Sequence, residues 1–116
     1  MRIIDWNEQP IQPSPHNADI RLLYKKSAFQ VQHIALEPGE ALMPHYAPVD
    51  VTFYVLEGKP TIQISHEMFE VGENKLIESP KYSEHCIYNH TNKFIRVLAI
   101  KPSREERNCC NQNSGE

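Results

Sequence analysis

The clearest pattern in the chain is the alternation Val49-Asp50-Val51-Thr52-Phe53-Tyr54-Val55-Leu56. In an extended chain, successive side chains point to opposite faces. Val49, Val51, Phe53 and Val55 therefore share one wholly apolar face that points inward, while Asp50, Thr52, Tyr54 and Leu56 look the other way. Similar short β-rich runs cover Ile20–Lys25, Phe29–Leu36, Leu42–Tyr46, Thr61–Ser65, Met68–Val71, Lys75–Glu78, His85–Asn89 and Phe94–Ile100. Turn chemistry separates most of them: Pro38-Gly39, Gly58-Lys59-Pro60, Gly72-Glu73-Asn74, Ser79-Pro80 and Asn89-His90-Thr91-Asn92. Short strands with a turn every ~8–12 residues predict an all-β sandwich or barrel. No stretch carries a long helical period, and nothing repeats at a fixed interval.

The flanks differ from this texture. Pro10, Pro13 and Pro15 rule out a helix or a central strand near the N-terminus. Residues 1–18 read instead as an extended arm whose apolar members Ile3, Ile4, Trp6 and Ile11 pack against the domain or a second subunit. Residues 103–116 contain no apolar side chain except Cys109 and Cys110 and read as a flexible polar tail. The patterned domain is thus 19–102.

Composition narrows the function classes. The chain has 116 residues, 40% hydrophobic and 23% charged, which is the balance of one globular domain. Twelve basic against fifteen acidic residues give a net charge of −3, and no Lys/Arg cluster offers the footprint that nucleic acid needs. No apolar run approaches the ~20 residues of a membrane span, and Asp5 interrupts the only apolar start, so a signal peptide is not expected. Three cysteines, two of them adjacent, make no disulfide framework, and the reading is a cytoplasmic protein with reduced thiols.

Strand parity then locates candidate chemistry. Carried back from Val51, it puts Ala47 and His45 on the inner side. In the later run His85, Ile87 and Asn89 share one face, and Cys86 and Tyr88 the other. His45 and His85 are thereby an imidazole pair in an apolar lumen of Val51, Phe53, Val55 and Ile87. Buried histidines ligate metal, exchange protons or simply hydrogen-bond in a core, and parity alone favours the last for either one. Cys86 reads as a small buried hydrophobe and Trp6 as an anchor in a packing seam.

Gly39, five residues, His45, and the run Val51 to Gly58 resemble the first motif of the cupin superfamily. Pro80, His85 and Asn89 resemble the second. The resemblance covers about residues 28–100. It implies a jelly-roll β-barrel, pairing into homodimers, and a divalent metal such as Zn, Fe, Mn or Ni held by three His and one Glu. His45 stands at the first ligand position and His85 at the last. Ala47 and Val51 occupy the other two and cannot ligate, and Tyr82 stands where the second motif has glycine. Restoring a third ligand calls on His33, which shares parity with Phe29, Val31 and Ala35. With half the ligand set gone, the reading is a cupin with a degenerate metal site that binds a small molecule in the lumen, through His45, Ala47, Val51, Phe53, Val55, His85 and Ile87. The alternative is a metal-dependent or metal-free enzyme, isomerase or oxygenase-like, using His45 and His85, with Tyr82, Glu84 or Asn89 nearby to orient the base. A third reading is a filled interaction subunit.

Overall fold

The structure, a computed structural model, describes residues 1–13 and 18–103; His16, Cys109 and Cys110 lie outside the described residues. The strands are β1 (Asp19–Lys25), β2 (Phe29–Leu36), β3 (Ala41–Ala47), β4 (Val51–Glu57), β5 (Thr61–Ile64), β6 (Glu67–Glu70), β7 (Leu76–Ser79), β8 (Ser83–Tyr88) and β9 (Ile95–Pro102). They form two antiparallel sheets, one in the order β1-β2-β9-β4-β7 and the other β3-β8-β5-β6. The all-β architecture expected from the alternation is therefore present, and each run read from the sequence falls on a strand. Val49 and Asp50 stay outside β4, where the Asp50 carboxylate accepts from the backbone N–H of Lys81 (2.9 Å) and ties the β3–β4 loop to the β7–β8 turn. Among the described residues no helix is long and apolar enough to cross a membrane.

Between the sheets lies a core that includes Ile34, Leu36, Phe53, Val55, Ile62, Ile87, Ile95 and Val97. Residues directly opposite in an antiparallel pair share a face. The pairs Ile34↔Val97 and Leu36↔Ile95 therefore fix the even-numbered side of β2 as its inner face. This corrects the placement of His33. It pairs with Leu98 and Arg21 on the outside of the first sheet, away from the lumen.

His33 is nevertheless buried, because the N-terminal segment covers it. Trp6, in a short 3-10 turn (Trp6–Glu8), stacks on the His33 ring with centroids 4.1 Å apart and planes at 11°. Arg21 fastens this segment: its Nη1 donates to the carbonyls of Trp6 (3.3 Å), Asn7 (2.9 Å) and Gln9 (3.1 Å). Both oxygens of Asp19 hold the same guanidinium from the other side (2.8 and 3.0 Å). A bidentate carboxylate makes a rigid clamp of an otherwise flexible side chain. The chain then continues to Gln12, whose N–H donates to Ile20 O (2.7 Å), at the open end of the barrel.

Candidate functional site

The open end holds a cavity of about 280 Å³. Its apolar wall includes Ile20, Ile34, Leu42, Ala47, Val51, Phe53 and Ala99, and its polar groups are His45, His85, Lys101, Gln12 and Gln32. Among the described residues, no carboxylate lines it. Five residues anticipated for the lumen, His45, Ala47, Val51, Phe53 and His85, come together here. Val55 and Ile87 do not; both are fully buried in the core beneath.

His45 reaches the cavity through a local irregularity. Leu42 is opposite Ile87 and His45 opposite His85, so β3 spends three steps where β8 spends two. The extra residue is a β-bulge at Met43-Pro44, and proline, lacking an N–H, cannot make the regular ladder bond there. The bulge turns both Leu42 and His45 inward. The imidazoles of His45 and His85 end with ring centroids 5.4 Å apart.

His45 is exposed at the mouth, whereas His85 beneath it is 4% exposed. Phe53 meets the His85 ring edge-on at 5.1 Å. The His85 Nδ1 lies 3.3 Å from the Ser79 hydroxyl. Burial, with lesser contributions from His45 and Lys101, lowers the His85 pKa to about 4. The ring is therefore neutral at pH 7 and a weak base. Its orienting partner is Ser79 rather than the neighbours in sequence. Asn89, on the same face of the chain, serves the backbone instead: Nδ2 donates to Leu36 O and Lys93 O, and Oδ1 accepts from Thr91 N.

Lys101 and Ser79 were missed in the sequence. The parity of β9 contains the signal for Lys101, since Ile95, Val97 and Ala99 face the core and Lys101 is the next member of that set. The β4–β9 register, with Thr52 opposite Ile100, sets it next to Val51. Burial lowers its pKa from the ordinary lysine value.

These side chains do not fit a divalent metal. His45 and His85 offer two imidazoles, but Ala47 and Val51, 4% exposed each, fill the positions where the resemblance calls for His and Glu. His33 faces the other side of the sheet, and Lys101 brings an amine into the same space. Among the described residues, no group of three His, Cys, Asp or Glu is placed to hold a metal ion. Two neutral ligands beside an ammonium make a poor cation site. Cys86 is also no donor here. It is buried on the far face of β8, where Sγ lies 3.2 Å from Tyr88 OH and 3.6 Å from Gln63 Oε1. Tyr82, at the position of the second-motif glycine, adopts φ +70°, the left-handed conformation that glycine takes without strain.

Comparison with known proteins agrees with this architecture. No curated protein shows significant sequence similarity to the chain. Among solved structures, TT1209 from Thermus thermophilus superposes with a TM-score of 0.76 at 19% identity, over 88% of this chain and 97% of that one. The polyketide cyclase RemF from Streptomyces resistomycificus gives 0.77 at 20% identity, over 88% and 79%. A predicted oxalate decarboxylase from Thermotoga maritima gives 0.77 at 16% identity, over 87% and 98%. At these identities the likeness is one of fold. Residues 32–101 match the cupin domain family, and with the barrel, the register and the paired histidines in place, the chain belongs to the cupins.

Proposed function

We propose that the protein binds a small organic anion, carboxylate-bearing, in the open end of its barrel without using a metal. One observation carries this reading: the cavity gathers His45, His85, Lys101 and two glutamine amides over an apolar floor, with no acid among the described residues that line it. Lys101 has no counter-charge among the described residues, so an anionic ligand supplies its partner. The cavity volume, about 280 Å³, falls just below the range for drug-sized ligand pockets, roughly 300–1,000 Å³, and suits a molecule of a few heavy atoms. Neighbours named as a polyketide cyclase and a predicted oxalate decarboxylase are in keeping with a barrel that takes small oxygen-rich molecules. The enzymatic alternative through His45 and His85 loses weight with His85 held neutral as a weak base.

The test is calorimetric titration of the untagged protein with acetate, lactate, oxalate and benzoate. Saturable binding that weakens in His45→Ala and Lys101→Gln supports the reading. Absence of binding to any of them refutes it. Elemental analysis of the same preparation gives the second arm: near-stoichiometric metal that disappears in both His45→Ala and His85→Ala would overturn the metal-independent part.

A further inference from the structure

Lys101 has an environment that anion binding alone does not require. It is the sole lysine of the cavity wall, at the end of a strand face whose preceding members Ile95, Val97 and Ala99 are all core residues. Among the described residues its side-chain amine takes part in no ion pair and no hydrogen bond. Its flanks across the sheet are Val51 on β4 and Gln30 on β2, neither of which neutralises it. Lys101 is only partly exposed, set between an apolar wall and two imidazoles at the open end of the cavity.

We infer that Lys101 is a covalent-capture residue whose amine condenses with the carbonyl of a small oxo acid held in the cavity. The inference rests on the anion-binding reading above and adds the chemical class of the ligand. The Nζ lone pair attacks the carbonyl carbon, a C–N bond forms, and the carbonyl oxygen takes a proton to give a carbinolamine. Nitrogen gives up one proton as the carbinolamine forms and its second as the protonated hydroxyl leaves as water, and it keeps the double bond to carbon. Amine plus carbonyl gives imine plus water, so neither oxidant nor reductant is needed. His45, exposed at the mouth, is placed in the same cavity to exchange these protons with solvent. Burial depresses the lysine's pKa, which raises the fraction of free amine, the nucleophilic form. The carboxylate of the oxo acid is held by the remaining donors of the cavity.

The experiment treats the full chain with glyoxylate, pyruvate or 2-oxobutanoate in the presence of sodium borohydride, which reduces an imine to a stable secondary amine, and locates the adduct by peptide mass mapping. Lys59, whose side chain is 62% exposed, serves as the internal control for unselective modification. The expected result is labelling of Lys101 on the order of tenfold above Lys59 with at least one oxo acid, as befits an activated lysine. Lys101→Arg, which has no primary amine, loses the adduct. Labelling of Lys101 no greater than Lys59 overturns the inference. Binding of the oxo acids in calorimetry without any adduct overturns it while leaving anion binding intact, and binding of neither oxo acids nor lactate overturns both.

Discussion

Replacing Trp6 by alanine tests how the outer face of the barrel is built and whether it supports the cavity. Trp6 stacks on His33 at 4.1 Å, with Arg21 Cζ 5.0 Å and Arg96 Cζ 5.6 Å from its ring centroid. An aromatic stack contributes about 0.5–1.5 kcal/mol beyond area burial. A guanidinium over a partly exposed indole contributes about 0.5–1 kcal/mol. With two guanidinia and the buried part of the ring, the substitution removes about 3 kcal/mol of docking energy. The Arg21 bonds to the backbone carbonyls remain. His33 reports the outcome. Burial first, and the Arg96 guanidinium second, lower its pKa to about 4. Arg96 Nη1 lies 3.2 Å from Nε2 and can only donate, so Nε2 accepts and the ring proton sits on Nδ1, which is buried without a partner among the described residues. Without Trp6, water reaches the ring, and the midpoint rises by at least about one pH unit toward 6.5, short of it because Arg96 stays. An imidazole C–H NMR titration, assigned with His33→Gln, reads the midpoint, and the emission of the single tryptophan reads it independently in the wild type. Because Gln12 and Pro13 of the same segment line the cavity, carboxylate affinity falls severalfold in the variant. A His33 midpoint that stays near 4 in Trp6→Ala refutes the account of its burial.

Stability depends on pH through His33 and His85, both lowered from 6.5 to about 4. The unfolded chain binds more protons between those values, so this stability is full above pH 6.5 and is lost as pH falls toward 4; the two histidines together contribute a few kcal/mol after solvent screening, on the order of 2 each. Urea midpoints of the wild type and of His33→Gln/His85→Gln, measured from about pH 5 to 7, reveal a slope in the first that flattens in the second. Gly39 and Gly58 share φ +86°, but a Cβ at Gly58 meets Ile95 Cγ2 at 2.6 Å and Phe94 O at 3.0 Å, whereas Gly39 has open space. Thermal unfolding is expected to show Gly39→Ala destabilised by about 1 kcal/mol and Gly58→Ala by about 1–3 kcal/mol more; equal losses would rule out the packing explanation. Asn89→Ala breaks bonds to Leu36 O (3.0 Å), Lys93 O (2.7 Å) and Thr91 N (3.0 Å) and lowers unfolding free energy by about 2–4 kcal/mol. Carboxylate binding at moderate temperature stays unchanged in that variant, because Asn89 does not line the cavity; a selective loss of binding would return Asn89 to the site.

The sequence reads well where one face of a strand is apolar and the other is wet. Val51, Phe53 and Val55 are buried while Thr52, Tyr54 and Leu56 are only partly so, and the inward direction of the whole site follows from that one strand. On β2 the same logic has two equally good answers. Phe29, Val31, His33 and Ala35 form one set, and Gln30, Gln32, Ile34 and Leu36 the other. His33 through Leu36 are all buried, because the core takes one face and the N-terminal segment the other. Alternation records burial against water, and a segment docked from far away in the chain erases the contrast. The misplacement of His33 is thus a consequence of Trp6.

The same reasoning explains why the site was only half visible. A family motif directs attention to the positions where ligands are expected, and at Ala47 and Val51 it registers a loss. What fills the space is a residue outside both motifs, Lys101, brought beside Val51 by the β4–β9 register. A pairing between strands so far apart in the chain leaves no local signature. Yet the two features belong together. On the anion-binding reading, an apolar side chain where the family has a carboxylate, with an amine beside it, turns a cavity suited to a cation into one suited to an anion. Restoring the acid by Val51→Glu gives the sharpest test of that exchange. In the presence of Lys101 the new carboxylate forms an ion pair with the amine and abolishes anion binding without creating a metal site. In Val51→Glu/Ala47→His/Lys101→Ala, where the added carboxylate and imidazole join His45 and His85 without the amine, zinc binding in calorimetry is expected. Tight zinc binding by Val51→Glu alone would show that Lys101 does not set the charge of the cavity.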